Sequence, residues 1–291
     1  MSAQNINKKL DVYGRLMRLD KPIGILLLLW PTLWALWIAS RGVPDWITLL
    51  IFITGTVLMR SAGCVMNDIA DRNYDGLVER TKNRPLAIGE VSLKEAYLLA
   101  AVLALMAFAL VLLFNKTTIL LSFAALFLAA TYPYTKRFLA IPQAYLGVAF
   151  GFGIPMAFVS VNDYIPLLAW ILLAANVAWA IAYDTEYAMV DRDDDVKIGI
   201  KSSAIFFGKY DVIAVMACYV IMLGLLAYVG KLMGFGKYYF IGLAAALLMV
   251  FWQFILIKSR DKSHCFKAFL HNNWIGLVLF IGLAAEYYFR R

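Results

Sequence analysis

The chain has 291 residues, 63% apolar and 16% charged, with a formal net charge of +8 and a mean hydropathy of +0.75. Soluble domains carry ~45–50% apolar residues, so this composition excludes both a disordered chain and a soluble enzyme, which could not hide such a surface. The positive balance suits loops at an anionic membrane face rather than nucleic-acid binding.

In chain order, residues 8–21 come first. Val12, Tyr13, Leu16 and Met17 recur at helical spacing, with Lys9, Arg15 and Arg18 at other angles. This predicts a basic helix lying in the membrane interface, within a 1–21 segment that opens a single 1–291 domain. The next run, 22–40, is too long for a signal-peptide core, and no A-x-A site follows it. Further apolar segments read at 46–66, 95–114, 117–133, 141–160, 165–186, 211–230, 237–257 and 271–289. A membrane-spanning helix takes about 20 apolar residues, so the expectation is an all-α polytopic membrane protein with nine spans. The third and fourth, joined only near Asn115 and Lys116, form a tight helical hairpin.

With the N-terminus inside, 21 of the 27 Lys and Arg fall on the inner side. Arg41, Lys116, Lys231, Lys237, Arg290 and Arg291 remain outside. That asymmetry sets the orientation. Of the 19 Asp and Glu, only Asp45, Asp163 and Glu286 lie outside. The charge rule does not cover acids, so their concentration on one face asks for a chemical reason.

Cys64, Cys218 and Cys265 form no CxxC pair, and His264 and His271 are the only histidines. A thiolate or imidazole metal site is thereby disfavoured. No GxxxxGK[ST] supports nucleotide-driven pumping. Any catalytic metal is bound mainly by oxygen.

Two acidic clusters supply that oxygen. After the second span comes NDIADRNYD, residues 67–75, placing Asn67, Asp71 and Asp75 at i, i+4 and i+8, one face of a helix, with Asp68 and Arg72 beside them. After the sixth span comes DTEYAMVDRDDD, residues 184–195. Asp184, Asp191 and Asp195 again share a face at 100° per residue. Stacked carboxylates repel, and an Asp at the bilayer centre costs ~2.5–3.5 kcal/mol. Both clusters therefore belong at cytoplasmic helix ends, where Mg²⁺ shared with a diphosphate turns repulsion into binding. A third inner loop, YPYTKR, offers Lys136 and Arg137 as a clamp for phosphate or carboxylate. Gly147, Gly151, Gly153 and Pro155 mark the fifth span for close packing or a kink.

These motifs resemble the UbiA superfamily of intramembrane prenyltransferases. Residues 16–24 (LMRLDKPIG), 30–37 (WPTLWALW), 183–202 and 265–269 look like its bacterial 4-hydroxybenzoate branch, and the likeness runs from about residue 10 to the C-terminus. The resemblance implies nine helices around a central cavity capped by cytosolic loops, in a bacterial inner membrane. It implies transfer of a polyprenyl group from polyprenyl diphosphate to C3 of 4-hydroxybenzoate, a step of ubiquinone biosynthesis. It assigns Asn67, Asp71, Asp75, Asp191 and Asp195 to Mg²⁺–diphosphate binding, with Asp68 and Asp184 adjacent. Arg72, Lys136 and Arg137 are candidates to draw charge from the leaving group, Arg137 is the candidate for the substrate carboxylate, and Asp191 is also a candidate to hold the phenolic hydroxyl. A relative acting on another aromatic or quinone precursor is one alternative. A secondary transporter is another, although transporter sites tend toward the midplane and these clusters lie at one surface.

Overall fold

Short polar side chains set where the helices begin. Asp45 accepts from the Thr48 N–H (3.0 Å), Asn115 from Thr118 (2.8 Å) and Asp261 from His264 (2.9 Å). Ser92 and Glu95 form a reciprocal capping box. A computed structural model describes residues 3–290. Residues 1 and 2 of the expected domain, and Arg291 of the outer charges, lie outside it.

The helices are α1 (Ala3–Leu16), α2 (Ile23–Ala39), α3 (Trp46–Asp71), α4 (Leu93–Val111), α5 (Lys116–Thr135), α6 (Pro142–Gly151), α7 (Gly153–Asn162), α8 (Leu167–Ile198), α9 (Ser203–Phe207), α10 (Asp211–Leu232), α11 (Lys237–Ile257) and α12 (Lys262–Phe289). No strand occurs among the described residues. Eight helical segments are long and apolar enough to cross a membrane, α6 with α7 counting as one, and the 17-residue α2 is a shorter ninth. The protein is an all-α, multi-pass membrane protein.

The fifth span breaks at Phe152. Pro155 has no N–H to offer the Gly151 carbonyl one turn earlier. Its glycines also permit close approach: a Cβ on Gly147 would stand 2.8 Å from the Val177 Cα of α8. Asn176 donates to the Gly147 carbonyl there (2.8 Å). Packing and kink therefore coexist in this span.

Three boundaries differ from the sequence reading. Capped at Asp261, α12 begins at Lys262 rather than near 271. Helix α8 has 32 residues, about 48 Å at 1.5 Å per residue, so its C-terminal part projects beyond a ~30 Å hydrocarbon core. Helix α3 stops at Asp71, and Asp75 sits in a separate 3₁₀ turn; the i, i+4, i+8 face does not extend to it. In α1, Val12 and Leu16 are buried with Val65, Ile69, Val91, Ala96 and Ala100. Its apolar face thus packs on α3 and α4. Lys9 pairs with Glu95 (2.7 Å) and Arg15 with Glu90 (2.6 Å) on the polar side.

Candidate active site

A cavity of about 880 Å³ opens inside the bundle. On α3 it is lined by Phe52, Gly55, Thr56, Met59, Arg60, Gly63, Asn67 and Asp68, a helical stripe. From Phe52 to Asp68 the wall rises about 24 Å. Side chains from α2, α4, α5, α6, α7, α8 and α12 complete it. Helices α10 and α11 contribute none and pack behind α8 and α12, so seven of the nine spans surround the space.

The cavity has two chemical ends. Its depth is apolar, walled by Phe52, Val111, Phe114 and Met156, with the Phe52 and Phe114 rings 5.5 Å apart. Its mouth is charged, lined by Arg18, Asn67, Asp68, Arg80, Arg84 and Asp184. Arg18 leads into α2, whereas Arg80 and Arg84 come from the loop between α3 and α4, which roofs the mouth.

Each acid at the mouth has a distinct state. Asp68 is 1% exposed, with Arg18 Nη2 at 2.5 Å and Arg84 Nη1 at 3.1 Å. Asp75 is also buried, and Arg84 donates to both its oxygens at 2.8 and 2.9 Å. Burial pushes the Asp75 carboxyl up, and Arg84 pulls it back. These two acids fasten the roof loop to the end of α3. Asp71 differs. Asn67 donates to its Oδ2 (3.1 Å), as does the Lys136 ammonium, while its Oδ1 is buried with no hydrogen-bond partner. An orphaned carboxylate oxygen is costly unless a further ligand completes it.

The second cluster lies on the continuous α8, as its spacing predicted. Asp184 lines the cavity, and Asp191 stands two turns further out. Arg80 grips Asp191 with Nη2 2.5 Å from Oδ2 and Nε 3.0 Å from each oxygen. The same guanidinium lies 4.4 Å from the Tyr187 ring centroid. Asp195 is within electrostatic reach of Asp191, Lys136 and Arg80. Lys136 therefore faces both clusters, and its carbonyl accepts from the Lys201 N–H (2.9 Å). Among the described residues no three His, Cys, Asp or Glu side chains converge closely enough to cage a metal.

Asp71, Asp75, Asp191, Asp195 and Lys136 are not among the residues that line the cavity. Arg72 caps α3 and points to solvent. Arg137 donates to the Ala70 carbonyl (2.6 Å) and lies 5.6 and 5.3 Å from the Tyr74 and Tyr134 rings. It is exposed and off the cavity wall, because that guanidinium is spent on pinning the end of α3.

Arg60 occupies the inner position instead. It lines the cavity among Gly24, Tyr132, Phe150 and Tyr183, with its guanidinium carbon 5.3 Å from the Phe150 ring centroid. It sits over Gly24, where a Cβ would collide with it. Among the described residues it makes no salt bridge or hydrogen bond, and Asp184 feels its charge. The sequence signal was available: a lone cation inside an apolar span is a functional candidate in its own right.

A helical membrane bundle enclosing an apolar cavity with a carboxylate- and arginine-lined mouth defines a class of intramembrane enzyme for a charged-headed lipid. Residues 28–277 match the UbiA prenyltransferase family, and the chain belongs to that family. It is 63% identical, across 100% of its length and 98% of the relative's, to a protein of Methylobacillus flagellatus named 4-hydroxybenzoate octaprenyltransferase. A protein of the same name from Aromatoleum aromaticum is 60% identical over 99% of this chain and 98% of its own. The fold is similar to the apo structure of a UbiA homolog from Aeropyrum pernix K1, with a TM-score of 0.80 and 26% identity over 89% of this chain and 97% of that one. It is also similar to a UbiA homolog from Archaeoglobus fulgidus bound to GPP and Mg²⁺, with a TM-score of 0.72 and 20% identity over 95% and 99%.

Proposed function

We propose that the protein transfers a polyprenyl group, octaprenyl by the name its relatives carry, from its diphosphate to C3 of 4-hydroxybenzoate, on the way to ubiquinone. The observation that carries this reading is the two-ended cavity: one space holds Arg60, which has no salt-bridge partner among the described residues, a carboxylate- and arginine-rich mouth, and an apolar depth. Those three features match an aromatic acid, a diphosphate and an isoprenoid tail.

Magnesium fits the residues present. Mg²⁺ takes one or two carboxylates and fills its remaining positions with phosphate oxygens and water. Two carboxylate clusters without a closed cage suit that habit, and the orphaned Oδ1 of Asp71 is the free ligand it needs. Asn67 and Asp71 on one side, with Asp191 and Asp195 on the other, would hold the ion; Asp184 borders them. Asp68 and Asp75, both tied to Arg84 of the roof loop, support the mouth. When bound, Mg²⁺ supplies positive charge against the leaving diphosphate.

The protein's own groups do the rest. Arg18, Arg80, Arg84 and Lys136 surround the diphosphate position and offset the charge that develops as the allylic C–O bond breaks. Arg60 holds the substrate carboxylate with its guanidinium fork, which orients the ring. The carbon ortho to the phenolic oxygen then attacks the allylic carbon, the new C–C bond forms as the C–O bond breaks, and the ring carbon gives its proton to the departing diphosphate. Asp184, which lines the cavity, is the carboxylate assigned to the phenolic hydroxyl, with Asp191 two turns further out as the alternative. Phe150, Tyr183 and Phe269 line the reacting zone and keep water from the cation. The enzyme sits in the bacterial inner membrane with its N-terminus and roof loops on the cytoplasmic side, as the 21 inner Lys and Arg direct.

Complementation tests the reading. Expression in a bacterium lacking its own 4-hydroxybenzoate prenyltransferase is expected to restore ubiquinone. A membrane-inserted protein that restores none overturns the substrate assignment, and restoration of a different quinone alone points to another aromatic precursor.

A further inference from the structure

Behind the acid face of α8 lies a second polar cluster that the proposed chemistry does not use. Glu186 of α8 is 0% exposed, as are Tyr219 of α10 and Asn272 of α12. Their contacts close a ring. Tyr219 Oη lies 2.9 Å from Glu186 Oε1 and 2.9 Å from Asn272 Oδ1, and Asn272 Nδ2 lies 2.9 Å from Glu186 Oε2. Trp179 Nε1 adds a donor to Asn272 Oδ1 at 2.8 Å.

Counting protons fixes the state of this ring. The Trp179 indole can only donate, so the Asn272 atom facing it is the carbonyl oxygen, which removes the usual amide ambiguity. Tyr219 has one hydroxyl proton and two oxygens at 2.9 Å. If that proton goes to Glu186, two bare oxygens face each other across the Tyr219–Asn272 contact. If it goes to Asn272, the Tyr219–Glu186 contact needs a proton that only Glu186 can supply. A protonated Glu186 satisfies every contact: Glu186 donates to Tyr219, Tyr219 to Asn272, and Asn272 back to Glu186. The surroundings agree. Cys265 and Gln253 are other polar groups nearby, and among the described residues no Lys, Arg or His acts on Glu186.

The ring's position on the helix gives it a task. At 100° per residue, Asp184, Asp191 and Asp195 stand about 160°, 140° and 180° around α8 from Glu186. Whatever fixes Glu186 fixes the direction of those three acids. We propose that Glu186 is held as a neutral carboxylic acid whose proton closes the ring with Tyr219 and Asn272, making it a positioning residue that sets the rotation of α8. Its kinetic part rests on the function proposed above; its protonation does not.

Infrared difference spectroscopy of the purified full chain tests the proton directly. A protonated-carboxyl carbonyl band is expected at neutral pH in the wild type and is expected to vanish in Glu186→Gln. Loss of no such band overturns the proposal, whether or not the protein transfers a prenyl group; a band without prenyl transfer counts against the function alone. Glu186→Gln keeps a donor and an acceptor, so it is expected to stay within about threefold of wild-type kcat. Glu186→Asp cannot span the ring, and its kcat is expected to fall by about a hundredfold, as misplaced catalytic groups do, with a raised Mg²⁺ requirement. Equal losses in Gln and Asp variants that both melt like the wild type would overturn it.

Discussion

Arg80 and Asp191 lie 111 residues apart in the chain and meet through one guanidinium edge, Nε and Nη2, with Nη2 2.5 Å from Oδ2. The contact joins the roof loop after the first acidic cluster to the outer face of the second. It makes the two clusters one site. Arg80→Lys keeps the charge but loses the bidentate geometry. It is expected to raise KM for the prenyl diphosphate about tenfold, the loss of roughly 1.4 kcal/mol, and to leave KM for the aromatic acid within twofold. A selective rise for the aromatic acid would place Arg80 at the other substrate.

Arg60 and Arg137 are separable by kinetics. Arg60→Ala removes a charge-assisted contact of about 1.5–3 kcal/mol, so KM for 4-hydroxybenzoate is expected to rise roughly ten- to hundredfold. Arg137→Ala frees the Ala70 carbonyl at the end of α3. Its expected effect is on kcat, with no selective rise in KM for the acid. The reverse pattern returns the carboxylate to Arg137.

The carboxylates of the first cluster are expected to divide into two kinds. Asp71→Asn is isosteric and is expected to abolish turnover while the melting temperature stays near wild type. Asp68→Ala leaves Arg18 and Arg84 without a shared buried partner, a change that costs about 3–5 kcal/mol, so the melting temperature is expected to drop clearly. Matched melting curves for the two variants would contradict the division.

Gly55 offers a test of the tail site. It lines the cavity, and a Cβ there meets no heavy atom within 4 Å, so a large side chain enters open space instead of breaking a contact. Gly55→Phe is expected to keep activity with a short prenyl diphosphate and to lose most of it with an octaprenyl one, read as the ratio of kcat/KM values. An unchanged ratio moves the tail away from α3. Gly147→Ala is the control for packing, because its Cβ meets α8 backbone at 2.8 Å; such overpacking costs about 1–3 kcal/mol and is expected to lower stability.

Periodicity made some of this legible in the sequence and hid the rest. The Asp184, Asp191 and Asp195 face was readable because α8 runs unbroken through all three. Asp75 was not, since α3 ends at Asp71 and the chain turns back to hand Asp75 to Arg84. That is a tertiary ion pair with no local signature. Arg60 reads as one more of the 21 inner charges, although its place inside an apolar span sets it apart. Glu186 hid among the acids of its own cluster; one helical angle separates it from Asp184, but only the neighbouring α10 and α12 reveal what it meets. The basic α1 read as an interfacial helix because an apolar stripe does not say whether lipid or protein covers it, and here α3 and α4 do.

The most direct measurement is the product itself. Purified protein incubated with octaprenyl diphosphate, 4-hydroxybenzoate and Mg²⁺ is predicted to release diphosphate and form the 3-octaprenyl acid, identified by mass and ring proton pattern. Chelation of Mg²⁺, or Asp71→Asn, is predicted to stop it. A folded sample that forms no prenylated acid, or one whose yield survives both treatments, would contradict the account.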